Sequence, residues 1–219
     1  MTGNSEVFGM GYPVAALEAT YTPGTGITYT GGFVIGTGVE AVLNHDISDN
    51  PDYGDDEEQD NDNGTNRVSG SLELNGIAID KRAKLLGWTK EGTGTDEVYH
   101  ITDDTAPYVG FGYYKRDVLS GGYIARWLYR VKFSRSTDTA RTKQRNVEWN
   151  HPSLDFSGGG VYLATPENKM TFYDEKPFDD REDAKAWLNT KAGISAQSST
   201  QGSNTQGSNT QGSGATGNP

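Results

Sequence analysis

The chain has no cysteine among its 219 residues. That absence removes disulfides, thiolate nucleophiles and cysteine-based zinc sites together. Histidine is almost as scarce: His45, His100 and His151 lie far apart, and none has an HxH or HxxxH partner of the kind that metal sites use. Each reads as a loop or strand-edge residue rather than a ligand or base. Basic residues are outnumbered, with 19 Lys and Arg against 30 Asp and Glu, for a formal net charge of −11. A chain this acidic repels nucleic acid, because duplex binding needs cations that replace phosphate counterions. No apolar run approaches the roughly 20 residues of a membrane-spanning helix. MTGNSEVFGMGYPV lacks the positive and apolar regions of a secretory signal. The expectation is a soluble protein with no membrane span, made in the cytoplasm.

Catalytic motifs are missing as well. There is no GxSxG or P-loop, and GFGYYKR lacks the third glycine of a dinucleotide fingerprint and lies in an alternating segment. The acids single out no pair for glycoside hydrolysis. Asn63-Gly64-Thr65 matches a glycosylation sequon only as a three-residue pattern. The reading is a non-enzyme with no catalytic residues, no cofactor and no metal.

What the sequence does hold is aromatic and turn-rich. The hydrophobic fraction is only 33%, yet twelve Tyr, seven Phe and four Trp supply bulky core material, and 29 scattered Gly suit turns and bulges. In NRVSGSLELN, Val68, Gly70, Leu72 and Leu74 alternate with Arg67, Ser69, Ser71 and Glu73, which is the period of a half-buried strand. GYIARWLYRVKFS alternates in the same way, with Tyr123, Ala125, Trp127, Tyr129, Val131 and Phe133 on one side. YVGFGYYKR precedes it across DVLSGG, which predicts a hairpin over 107–133. NVEWNHPSLDF, GVYLA and KMTFYD add further strand candidates. Two helices are expected. The first is about 78–86, with Ile79, Ala83 and Leu86 as its apolar face and Gly87 as its stop. The second is 179–191, capped by Asp179 with Glu182 three residues on, Phe178 stapling its start, and Ala184, Trp187 and Leu188 facing inward. Long strands with few helices predict an antiparallel β-sandwich or barrel-like domain over 1–193.

Two segments stand apart. From Ile194 to Pro219 there is no charged residue, and QGSNT occurs at 201–205 and again at 206–210. With no apolar face to bury, 194–219 reads as a disordered polar tail. The other is the acidic run, in which Asp49, Asp52, Asp55, Asp56, Glu57, Glu58, Asp60 and Asp62 fall within 49–62. Setting Gly64 as the glycine of a calcium-binding loop puts Gln59, Asn61 and Asn63 at ligand positions and Gly70 where a bidentate Glu belongs, so that register fails. Such like charge is expected to project as a solvated loop. The basic cluster Arg135, Arg141, Lys143 and Arg145 suits an acidic surface on a neighbouring copy better than DNA.

The order of segments carries a resemblance. YPVAALEATYTPGTGITYTGG comes first, then Asp-Tyr-Gly-Asp-Asp at 52–56, then an alternating strand running into a helix that ends Leu-Leu-Gly at 85–87. The aromatic hairpin YVGFGYYKR…YIARWLYRVKFS and DTARTKQRNVEWNHPSLDF follow. Over about 10–193 this resembles the major tail proteins, or tail tube proteins, of long-tailed bacteriophages of Gram-positive hosts. The resemblance implies a virion tail protein, made in the bacterial host, whose hexameric rings stack head to tail as the tube through which DNA is ejected. Its implied partners are itself, the tape measure and terminator proteins, and DNA that passes without specific binding. The acidic loop is then expected at the lumen or the next ring, where Asp55, Asp56, Glu57, Glu58, Asp60 and Asp62 either repel DNA or meet Arg141, Lys143 and Arg145. A non-enzymatic β-sandwich binding module, a virion decoration or carbohydrate binder, is the alternative, and exposed aromatics on a strand face would favour it.

Overall fold

The computed structural model describes residues 7–54, 57–101, 105–136, 151–164 and 169–195, with backbone alone for 7–8 and 48–63. In chain order come β1 (Val7–Thr22), β2 (Gly26–Val34), β3 (Gly36–Gly54), β4 (Glu57–Ile77) and α1 (Ile79–Leu86). They are followed by β5 (Thr89–Glu91), β6 (Val98–His100), β7 (Val109–Asp117), β8 (Tyr123–Arg135) and β9 (Ser153–Gly158). β10 (Val161–Tyr162), β11 (Met170–Thr171), β12 (Tyr173–Phe178) and α2 (Arg181–Ala192) complete the order. The protein is mainly β and antiparallel, with two short helices, as the alternating segments indicate.

One eight-stranded sheet carries the architecture, in the order β2-β1-β7-β8-β9-β4-β3, with β12 also paired to β8. β12 resumes the line of β9: β8 pairs with β12 through Tyr123–Leu128 and with β9 through Val131–Arg135. The two ends of the path, β2 and β3, are separated in sequence only by Ile35, whose N–H donates to the Pro13 carbonyl at 2.8 Å. The sheet must therefore curl until its ends approach one another. β3 starts alongside the first half of β1, so close that a Cβ on Gly38 would overlap the Met10 side chain. The result is a sandwich-like body with an inner core and one helix-covered outer face.

Residue chemistry explains both layers. The inner core gathers Val109, Phe111 and Tyr113 of β7 with Leu128, Val131, Phe133, Leu72, Leu74 and Phe156. Phe111, Phe133 and Phe156 meet at ring-centroid distances between 5.3 and 5.8 Å. The residues between them on β7 are glycines because the outer face has no room for a side chain there. A Cβ on Gly112 would lie 2.6 Å from Trp127 Cε3 and 2.7 Å from Leu188 Cδ2. Trp127, fully buried, belongs to a second cluster with Val14, Ala16, Ala125, Ala184, Leu188 and Ala192, which seats α2 on the sheet.

The strict alternation expected across 123–133 breaks once. Val109 pairs with Val131 but Phe111 pairs with Leu128, so β8 carries one extra residue between those points. That bulge turns Val131 and Phe133 to join Leu128 in the inner core, while Ala125, Trp127 and Tyr129 remain on the outer one. A long strand that changes neighbours from β12 to β9 shifts its phase where the change occurs. A second bulge, in β1, holds Tyr12 at φ 53°, and its hydroxyl donates to Asn189 Oδ1 of α2 at 3.0 Å.

Both helices form at their expected places with altered details. α1 buries Ala83, Leu85 and Leu86, whereas Ile79 is 54% exposed, and Gly87 ends the helix at φ 72°. α2 is capped by Asp180, not Asp179: the Asp180 carboxylate accepts from the Glu182 N–H at 2.7 Å. Gly193 closes it in the left-handed region, and the Ile194 N–H returns to the Asn189 carbonyl at 2.9 Å. Ile194 also packs against the helix-side cluster. The remainder of the expected polar tail, 196–219, lies outside the described residues.

Candidate assembly surface

The acidic segment is not a loop in the backbone sense. β3 and β4 pair continuously from Gly36↔Ile77 out to Gly54↔Glu57, so the run lies on a two-stranded ribbon. β9 supports β4 only from Val68 to Glu73. From His45 and Arg67 outward the two strands pair with each other alone among the described residues. The resulting arm spans 46–54 on β3 and 57–67 on β4, or roughly 30 Å at strand rise. Its register sets Asp52 opposite Asp60 and Asn50 opposite Asp62.

The expected site residues divide as follows. Glu57, Glu58, Asp60 and Asp62 lie on the first stretch of β4, and Asp49 and Asp52 lie on the facing stretch of β3. Asp55 and Asp56 lie outside the described residues, as do Arg141, Lys143 and Arg145. The described residues nearest that basic segment are joined: Ser136 Oγ donates to the Ser153 carbonyl at 2.6 Å. Just past the end of β8, Ser136 is thus tied to Ser153 at the start of β9.

Sequence reasoning missed the cationic corner at that end. Lys81, Arg82 and Lys84 project from α1, with Asp80 as the helix's one acid. Arg135, at the end of β8, sits 5.6 Å from the centroid of the Trp88 ring, and Arg82 lies 5.9 Å from the same ring. Lys84 lies 5.5 Å from the Phe33 ring. The signal available in the sequence was the run DKRAK within an acidic chain, which an amphipathic reading absorbs as the polar face of a helix.

Two further charged groups brace the body. Arg126 is enclosed by the Tyr173 ring at 4.9 Å, the Tyr113 hydroxyl at 3.0 Å and Glu175 at 2.5 Å, with Lys115 also on Glu175 at 3.1 Å. Burial alone would raise the Glu175 carboxyl; the two cations outweigh it and hold the group below its ordinary range. On the helix side, Lys191 reaches Asp174 at 2.8 Å, and the Tyr129 hydroxyl donates to the same carboxylate. Burial and that carboxylate push the Tyr129 hydroxyl far above its ordinary value. His45 meets the Tyr173 hydroxyl at 3.0 Å and His100 meets Glu91 at 2.9 Å, both exposed, while His151 is half-buried just before β9. Among the described residues no group of three or more His, Asp or Glu is placed to hold a metal.

The chain matches no family model, and no curated protein is significantly similar to it.

Proposed function

We propose that this chain is a non-enzymatic virion protein that assembles into hexameric rings, stacked head to tail as the tail tube of a long-tailed bacteriophage. The observation that carries the reading is the long acidic arm, which extends from a curled antiparallel sheet without any third strand among the described residues. A ribbon of that length pairs with no third strand among the described residues, so its backbone edges are left open. A neighbouring copy would pair with them. The sheet also ends on β3, whose outer edge beyond its contact with β1 pairs with no described strand. Open edges of this kind are where sheets extend between subunits. The segment order described above points to the same assembly. An acidic conduit suits DNA transit, since like charge lets a duplex slide without binding.

The binding-module reading draws on Tyr108 and Tyr162, which are 36% and 38% exposed. The Tyr108 ring, however, already lies 3.8 Å from the Arg130 guanidinium and 4.3 Å from Lys132 Nζ. Arg130 is itself held by Glu18 at 2.7 and 3.2 Å. A sugar stacking there would have to displace that cation, which disfavours a carbohydrate site. Sedimentation velocity over a wide concentration series tests the proposal: large discrete assemblies are expected, and a monomer that binds glycans would replace the tube reading with the alternative.

A further inference from the structure

The sequence contains two Asn-Gly dipeptides, Asn63-Gly64 and Asn75-Gly76, and both fall on β4. The fold treats their backbones differently. Asn63 pairs with Asp49 and Gly64 with Ser48, inside the β3–β4 ladder. Asn75 and Gly76 have no register partner: Gly36 faces Ile77 and Gly38 faces Leu74, so two residues of β4 stand opposite Thr37 alone. That is a bulge, in which the extra residue is left out of the ladder. The other edge of β4 offers them no register partner either. Its pairing with β9 reaches only Glu73, after which the Leu74 N–H donates to the Pro152 carbonyl at 3.0 Å. Both residues are exposed, and the Asn75 side chain hydrogen-bonds to no described residue. A Cβ placed on Gly76 would meet nothing within 4 Å.

We infer that Asn75 is a site of spontaneous covalent modification, where the side-chain amide is lost by deamidation. Asparagine is a thermolabile residue, and the reaction runs through the chain's own backbone. The Gly76 backbone nitrogen gives its proton to solvent base and attacks Asn75 Cγ. The new C–N bond closes a succinimide ring, the Cγ–Nδ2 bond breaks, and ammonia leaves. Water then opens the ring at either carbonyl. Opening on one side gives aspartate; opening on the other gives isoaspartate, in which the chain runs through the former side-chain carbonyl. The balance is one water consumed and one ammonia released, with no change of oxidation state. Ring closure needs a backbone free to rotate and a following residue with no Cβ in the way, which glycine supplies. The ladder holds the backbone at Asn63, whereas a stretch without register partners opens locally at low cost. Either product adds a negative charge just before the Ala78 cap of α1, and isoaspartate also lengthens the backbone between the ladder and that helix.

The test is peptide mapping by mass spectrometry of the full chain, aged at physiological temperature in buffers from neutral to mildly alkaline, with folding checked by circular dichroism. Asn75 should gain the mass of deamidation several-fold faster than Asn63, at a rate that rises with pH, and both aspartate and isoaspartate should be found there. In denaturant the two dipeptides should lose that difference, because it comes from the fold. Gly76 does not adopt a positive φ and its added methyl enters open space, so Gly76→Ala should melt like wild type. That variant should deamidate at Asn75 several-fold more slowly. An Asn75 that stays intact in the folded chain, or reacts no faster than Asn63, overturns the inference. So does a folded Gly76→Ala chain that ages at the wild-type rate. Should the variant fail to fold, wild type alone decides: a preference for Asn75 that denaturant abolishes supports the site, and the same ratio in both states refutes it.

Discussion

Gly112 shows how much of this fold is decided by single side chains. It sits on the outer face of β7 between Trp127 and Leu188, with the Arg126 carbonyl 3.0 Å from where a Cβ would be. Gly112→Ala should therefore destabilise the protein by about 1–3 kcal/mol through overpacking, read by chemical denaturation. Gly121, in the β7–β8 turn, is different: it adopts φ 73° in open space, so substitution there strains the backbone rather than the packing. Glu175 carries the clearest pH dependence at this scale. Its carboxyl is held below the ordinary glutamate range, so the unfolded chain binds more protons than the folded one as pH falls through the window just below that range. Its stabilising contribution is present above that window and lost beneath it. The acid limb of a stability–pH curve should flatten in Glu175→Gln, and an unchanged limb would show that Lys115 and Arg126 do not hold this group in solution.

Among the elements, α2 depends most on what lies beneath it. It is twelve residues long, too short to persist alone in water, and it stands on Ala184, Leu188 and Ala192 above Trp127. Leu188→Ala should cost about 2–5 kcal/mol, and Asp180→Ala about 1 kcal/mol through loss of the cap. Asp179→Ala should cost much less, since the bond to the Glu182 N–H comes from Asp180. The helices themselves were legible in the sequence, because caps and stops are local signals: Gly87 ends α1 where expected. The choice between Asp179 and Asp180 was not, because adjacent acids differ only in the direction from which β12 delivers the chain. In the same way the strands of the hairpin were legible from alternation, and the bulge at Tyr129–Arg130 was not. It arises because β8 is paired to β12 along one half and to β9 along the other, a long-range fact. The acidic run misled for a related reason. Its composition resists burial and says nothing against pairing, and β3 and β4 pair along it to Gly54↔Glu57. The α1 corner was hidden because its cations come from two segments, Arg82 on α1 and Arg135 on β8, that only the fold brings to Trp88.

For the whole molecule, the chain past α2 is anchored where Ile194 packs beside Gly32. Truncation after Ser195 should leave the melting temperature and assembly unchanged, whereas truncation after Gly193 should lower stability by about 1 kcal/mol, since it removes a partly buried aliphatic side chain and the return bond to Asn189. Equal stability of the two would show that Ile194 does not pack. The larger question is assembly, and it separates a tube protein from a solitary β domain. Electron microscopy of the purified chain in low salt, over a concentration series that reaches the millimolar range, addresses it directly. Rings with six-fold symmetry, or tubes built by stacking them, are the expected result, with stacks falling apart into rings as salt is raised. A population of single particles with no rings or tubes at any concentration, and a monomer mass by light scattering, would contradict it.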